Sequence, residues 1–114
     1  MFCCVVLLQF ACSSGHDDVL SRSEMKSFLT DLHLLEGVFS SDVTISEDEK
    51  VFYYHALFQK HGISKAQFDS SLVYYTRNPK VFERIYAGVN KNLEVLRAEV
   101  EAGKYTPILP DSIR

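Results

Sequence analysis

The chain of 114 residues has no tryptophan and no cysteine after Cys12. The other two cysteines are Cys3 and Cys4, so all three lie in the first twelve residues. A disulfide within that short segment would close a very small loop and would constrain nothing else. A disulfide framework and a cysteine-ligated metal site are therefore excluded for the rest of the chain.

Clustered positive charge is missing as well. Twelve Lys and Arg stand against fifteen Asp and Glu, which gives a formal net charge of −3. Proteins that bind nucleic-acid phosphates carry clusters of Lys and Arg, whereas the basic residues here are scattered among acids. Residues 58–75 have the outline of a helix-turn-helix, in which the second helix presents Arg, Lys, Asn or Gln to base edges, but here that helix offers Asp69 and Ser70 beside Lys65 and Gln67. The sequence therefore predicts no nucleic-acid partner.

Recognisable catalytic motifs are also absent. The sequence has no nucleophile elbow, phosphate-binding loop, dinucleotide fingerprint or paired-cysteine metal spacing. These absences argue against an enzyme, and we expect no cofactor and no metal. No stretch alternates apolar and polar residues for long enough to indicate a β-strand.

The first eleven residues are almost wholly apolar, with Gln9 as the exception. The run is shorter than the roughly 20 residues that a membrane-spanning helix needs, and it matches the apolar core of a secretory signal. Residues 8–12 resemble a bacterial lipobox, in which a small residue (Ala11) precedes an acylated cysteine (Cys12). Gln9 departs from that pattern, and no basic residue precedes the run, so either the true start lies upstream of Met1 or a relaxed lipobox is in use. We expect residues 1–11 to be a lipoprotein signal peptide and Cys12 to be lipidated; the alternative is a buried helix with inert thiols.

Residues 12–20 read as a flexible tether that follows the predicted acylation site. Two acyl chains on Cys12 would suffice for stable membrane anchoring. Asp17 and Asp18 resemble either a surface-export signal or a simple solvated tether. The sequence therefore leaves open whether the protein lies on the periplasmic or the outer face of the outer membrane. The predicted location is the bacterial cell envelope, with the membrane as a partner through acylated Cys12.

Capping signals place four helices in residues 21–103. Three capping boxes pair Ser21 with Glu24, Ser46 with Glu49, and Ser64 with Gln67. Gly62 ends the second helix, and Asn78 with Pro79 begins the fourth. Residues 104–114 contain two prolines and read as an extended tail. The sequence predicts an all-α fold, a small bundle of four helices with a helix-corner-helix centre at residues 53–79.

Apolar residues recur at helical spacing along each of these segments, which predicts the core-facing side of each helix. The predicted stripe of the first helix is Met25, Phe28, Leu29, Leu32, Leu35 and Phe39. Those of the second and third helices are Val51, Tyr54, Leu57 and Phe58, then Phe68, Leu72 and Tyr75. That of the fourth is Phe82, Ile85, Tyr86, Val89, Leu93, Leu96 and Val100. Phe52, Tyr53 and Ala56 also make the outer side of the second helix partly apolar.

Three strings in this region carry a family resemblance: residues 29–36, residues 61–72 and residues 74–79. Together they resemble the Bacteroidetes lipoprotein family named domain of unknown function 4296, over about residues 21–100. The resemblance implies a short, helical, lipid-anchored bacterial protein. It implies no activity.

One candidate site for chemistry lies on the first helix, where Asp31, His33 and Glu36 occur close together. They suggest a small hydrolase or metal-dependent enzyme in which His33 acts as a base and Glu36 orients its ring. One histidine and one carboxylate make a poor site, however, because zinc normally has three or four protein ligands. The more ordinary interpretation is that Asp31 and Glu36 pair with Lys or Tyr groups at helix contacts.

Tyrosines supply the second candidate site. Asp69 lies near Tyr74 and Tyr75, and a carboxylate that accepts from a Tyr hydroxyl would fix helix packing. Exposed tyrosines could instead line a groove for a peptide or protein; the candidates are Tyr53, Tyr54, Tyr74, Tyr75 and Tyr86. The function we expect is a non-catalytic protein- or peptide-binding module, and a structural spacer is the remaining alternative.

Overall fold

The computed structural model describes residues 18–104, and within them the chain forms four α-helices and no β-strand. The helices are α1 (Arg22–Ser41), α2 (Glu47–His61), α3 (Lys65–Thr76) and α4 (Pro79–Glu101). The predicted all-α fold of four helices is confirmed. The predicted signal peptide, Cys12 and residues 105–114 of the predicted tail lie outside the described residues.

Complete capping boxes begin α1 and α2, as the sequence predicts. The Ser21 hydroxyl accepts from the Glu24 backbone N–H at 3.1 Å, and the Glu24 carboxylate accepts from the Ser21 N–H at 2.8 Å. Ser46 and Glu49 repeat the exchange at 3.3 and 2.8 Å. Each box satisfies backbone donors that the first turn leaves unpaired, a contribution of about 1 kcal/mol per cap.

The corner between α2 and α3 depends on Gly62, whose φ of 62° and ψ of 31° are left-handed. Glycine adopts this conformation without the steric cost that a Cβ brings. Ser64 then caps α3, and α4 begins at Pro79. Asn78 occupies the N-cap position of α4 as predicted, but its side chain makes no cap bond there. Its amide instead donates to the Tyr74 carbonyl at 2.8 Å, in the last turn of α3.

The core lies along α1, which packs against both α4 and α2, while α3 packs against α4. One cluster of buried residues comprises Leu20, Met25, Leu29, Tyr75, Ile85 and Val89. A second comprises Phe28, Leu35 and Leu57. The Phe28 ring joins three helices, since its centroid lies 5.1 Å from that of Phe58 and 4.8 Å from that of Phe68.

Val51 is the residue whose predicted orientation differs most from the structure. The sequence pattern predicts an inner position for Val51 on α2, but Val51 is 67% exposed. Successive residues of a helix are rotated by about 100°, so Val51 points about 120° away from Leu57, the buried residue of α2. The buried face of α2 is centred on Leu57, and Val51 lies beyond its edge.

Leu20 precedes α1 and is held by α3 through both of its backbone polar groups. Its N–H donates to the Ser71 hydroxyl at 2.8 Å, and its carbonyl accepts from the Tyr75 hydroxyl at 2.6 Å. The Leu20 side chain is 2% exposed, and Val19 is half-buried. We call Leu20, Ser71 and Tyr75 the Leu20 clamp. The segment predicted as a flexible tether over residues 12–20 therefore ends in a residue of the core.

Both side chains of the clamp suit their roles chemically. Ser71 and Tyr75 are one helical turn apart and so lie on the same face of α3. The Ser71 hydroxyl accepts from Leu20 and donates to the Gln67 carbonyl at 2.7 Å, so it uses both of its hydrogen-bonding capacities. Burial raises the pKa of Tyr75 above its ordinary value, so the hydroxyl stays protonated and remains a donor.

Replacement of Tyr75 by Phe tests the clamp. Tyr75→Phe leaves the Leu20 carbonyl buried without its partner, and we expect a loss of about 1–3 kcal/mol in the free energy of unfolding. Tyr74→Phe is the matched control, because Tyr74 is 41% exposed, and we expect it to cost about 0.5 kcal/mol or less. Urea unfolding of the full chain measures both; equal losses for the two variants would contradict the clamp.

Candidate functional site

Asp31 joins α1 to the last turn of α2. Its Oδ2 lies 2.8 Å from Lys60 Nζ and 2.8 Å from His61 Nε2. The Asp31 and His61 side chains are 14% and 13% exposed, so the contact is largely shielded from water. The His61 ring also packs edge-on against Phe28, with centroids 5.2 Å apart. The sequence pointed to a Lys partner for Asp31, but nothing in its periodicity indicated His61.

The three residues of the suggested catalytic site face different surroundings. His33 packs edge-on against Tyr86 of α4, with ring centroids 5.8 Å apart, whereas Asp31 turns towards α2. Glu36 is exposed. Among residues 18–104, no group of three or more His, Cys, Asp or Glu side chains could hold a metal ion. Asp31, His33 and Glu36 therefore do not share a metal-binding geometry.

The expected bond between Asp69 and a tyrosine hydroxyl is wrong. Asp69 Oδ2 instead lies 2.8 Å from Lys65 Nζ on the same helix, and both side chains are exposed. The Tyr75 hydroxyl donates to Leu20, and the Tyr74 ring lies edge-on to that of Tyr75 at 5.1 Å. Asp69 and Tyr75 are six positions apart and so point about 120° apart around α3.

The remaining two candidate tyrosines lie against α1. Their rings approach Phe39, with centroid distances of 5.9 Å for Tyr53 and 5.4 Å for Tyr54. Phe52 continues the row, since its ring centroid is 6.1 Å from that of Tyr53, and it is 58% exposed. We call Phe39, Phe52 and Tyr53 the aromatic corner. Burial, and then the nearby charge of Glu36, raise the pKa of Tyr54 above its ordinary value.

Other large apolar side chains are exposed at the same end of the α1–α2 pair. Four of the eight exposed large apolar residues of the described chain fall between positions 38 and 52. They are Val38, Val43, Val51 and Phe52, exposed by 48%, 91%, 67% and 58%. Single exposed apolar residues are normal on protein surfaces, but their concentration in one region is typical of an interaction site.

Acidic residues surround the aromatic corner. Hydrogen bonds from the Thr44 hydroxyl and then its backbone N–H lower the pKa of Asp42 below its ordinary value. Bonds from the backbone N–H and then the hydroxyl of Ser46 lower that of Glu49. Both carboxylates are therefore ionised at neutral pH. The acids of this region are Glu36, Asp42, Glu47, Asp48 and Glu49.

A shallow groove lies between α1 and α4, with Asp31 among its lining residues. It is lined mainly by polar side chains, among them Ser23, Ser27 and Asn92. Its buried hydroxyl, on Thr30, donates to the Lys26 carbonyl at 2.8 Å and lies 3.3 Å from Asn92 Nδ2. The buried hydroxyl of this groove is therefore already paired within the protein.

Comparison with known proteins identifies one family. The family model described as a domain of unknown function, DUF4296, matches residues 17–99, which include α1, α2, α3 and most of α4. No curated protein and no solved structure matches the chain. Among residues 18–104, every helix is too short or too polar to cross a membrane.

Substitution of Asp31 tests whether the α1–α2 contact is structural. Asp31→Asn removes the charge that Lys60 and His61 share, and we expect the free energy of unfolding to fall by about 1–2 kcal/mol. Asp69→Asn breaks an exposed pair within one helix, and we expect a loss of about 0.5 kcal/mol or less. Thermal unfolding of the two variants gives the comparison, and an Asp31 variant as stable as the Asp69 variant would contradict the assignment.

Proposed function

The chain belongs to the DUF4296 family, and from that premise we propose that it is a lipid-anchored bacterial envelope protein whose helical domain binds another protein or a peptide. The aromatic corner is the binding surface, and the protein catalyses no reaction. The observation that carries this proposal is the exposure of Phe52 in a row of contacting rings.

The packing of the domain does not account for Phe52. A side chain that is 58% exposed contributes little apolar burial within α2. Its ring centroid lies 6.1 Å from that of Tyr53, and the Tyr53 centroid lies 5.9 Å from that of Phe39. A ring that packs on its neighbours loses less side-chain entropy when a partner binds than a ring without such contacts. Aromatic side chains of this kind contribute strongly to many protein interfaces.

The Leu20 clamp and the aromatic corner lie at opposite ends of α1, so the proposed anchor and the proposed binding surface attach to different ends of the domain. Leu20 lies just before the first turn of α1, and Phe39 lies near its last turn. With a rise of 1.5 Å per residue, these ends of α1 are separated by about 25 Å. A lipid on Cys12 would hold the opposite end of α1 from the aromatic corner. A fully extended chain from Cys12 to Leu20 would reach about 30 Å.

Acylation of Cys12 is the part of the proposal that rests on Ala11 and Cys12 alone. We expect cells fed a palmitate analogue to label the wild-type chain and to leave Cys12→Ala unlabelled. Cys4→Ala is the matched control, because Cys4 lies within the predicted signal peptide and should have no effect on labelling. Equal labelling of wild type and Cys12→Ala would contradict lipidation at this residue.

A photocrosslinking residue at position 52 tests the binding surface. We expect it to capture one recurring protein in living cells, while the same group at Val73, which is 52% exposed on α3, does not. The captured protein should then bind the purified chain, and Phe52→Ala should weaken that binding by about tenfold. A domain that serves only as a spacer would give no capture specific to position 52 and no effect of Phe52→Ala.

A further inference from the structure

The acidic excess of the protein is concentrated around the aromatic corner. Residues 36–55 contain five acidic residues and one basic residue, so their formal charge is −4. The whole chain has a formal charge of −3, which leaves +1 for all other residues together. The negative charge of this protein is therefore a property of one end of the α1–α2 pair.

The domain itself neutralises little of this charge. Lys50, the one basic residue in the segment, lies 2.7 Å from Glu47, whose side chain is still 87% exposed. Asp42 and Glu49 bind only neutral donors, from Thr44 and Ser46, which favour the ionised carboxylates. The dipole of α2 offsets about half an elementary charge at its first turn. Most of the negative charge is left to interact with a partner.

We propose that the aromatic corner binds a basic amphipathic segment of another protein, in which Lys or Arg side chains flank large apolar ones. This inference rests on the proposed function, because it names the partner of the same surface. The apolar side chains of the segment pack on Phe52 and Tyr53, and its cations reach the surrounding carboxylates. Cations are attracted to the faces of aromatic rings, and Lys50 Nζ lies 6.0 Å from the Phe39 centroid in this region.

Two other occupants have to be distinguished from this partner. An anionic membrane surface would be repelled by the −4 formal charge of residues 36–55. A second copy of the chain could meet this surface with its residues 60–91, where six basic and two acidic residues give a formal charge of +4, so self-association of the full chain that Phe52→Ala weakens would overturn the inference. Charge complementarity therefore selects a basic partner, and it acts mainly on specificity and association rate.

Three synthetic peptides test the partner class with the full chain. Each places leucine at helical spacing, and the remaining positions are lysine, glutamine or glutamate. We expect fluorescence anisotropy to show that the lysine peptide binds at least about tenfold more tightly than the glutamate peptide, with the glutamine peptide between them. The affinity for the lysine peptide should fall as salt is raised from about 0.05 to 0.15 M, because salt screens exposed charges.

Matched variants test whether the lysine peptide binds at the aromatic corner. Phe52→Ala should weaken binding of the lysine peptide by about tenfold, whereas Val73→Ala, also an exposed apolar truncation, should not. Asp48→Asn should weaken it by a few-fold, because Asp48 is an exposed acid of the corner. Glu94→Gln removes an exposed acid of α4 and should leave binding unchanged.

The outcomes separate this inference from the proposed function. If the three peptides bind equally and all depend on Phe52, the corner is a binding surface but the basic partner is excluded. Phe52-dependent binding to phosphatidylglycerol vesicles would overturn the inference in favour of a membrane. If Phe52→Ala leaves the affinity for the lysine peptide unchanged, the inference is also overturned. If no peptide depends on Phe52 and position 52 captures no protein, both the inference and the proposed function fail.

Discussion

The two hydrogen bonds between Leu20 and α3 are the constraint on which the arrangement of the domain depends. A chain that enters a core carries its backbone N–H and carbonyl with it, and each costs free energy if it is left unpaired. Strands and helices satisfy these groups by regular pairing, but Leu20 belongs to neither. Ser71 and Tyr75 provide the two partners instead. The buried leucine can therefore join the core without a secondary structure of its own.

This constraint explains the polar character of the inner side of α3. A serine at a fully buried position would normally be unfavourable, yet Ser71 is 0% exposed. Its hydroxyl is paired twice, so burial leaves nothing unsatisfied. Within residues 18–104, no fully buried side-chain nitrogen or oxygen lacks a hydrogen-bond partner. The clamp also defines where the preceding chain leaves the domain, which is at the opposite end of α1 from the aromatic corner.

Local signals in the sequence were sufficient to predict the four helices and their ends. Ser21 and Ser46 with their glutamates, Gly62 and Pro79 each act within one turn, and the structure places helix ends at all four. Family membership was also accessible, because its motifs are continuous strings. Val51 was misplaced because a single apolar residue near the edge of a stripe fits either side of a helix wheel.

The contacts between helices were harder to predict from the sequence. Leu20 is separated from Ser71 and Tyr75 by more than 50 positions, and the geometry that joins them exists only after α3 has packed. Asp31 and His61 present the same difficulty, since no periodic pattern relates a residue of α1 to the last turn of α2. The aromatic corner was indicated in part, because Phe52 and Tyr53 make the outer side of α2 apolar. Its concentration of exposed side chains became evident only from the positions of Phe39 and Phe52.

Native-state hydrogen exchange at the Leu20 amide tests the clamp most directly. This N–H precedes α1 and has no helical partner, so its protection reports the bond to Ser71. The account predicts that it exchanges about as slowly as amides in the middle of α1 and α4, through opening of the whole domain. Exchange at the rate of an unprotected amide would show that Leu20 is not held by α3 and would contradict the account.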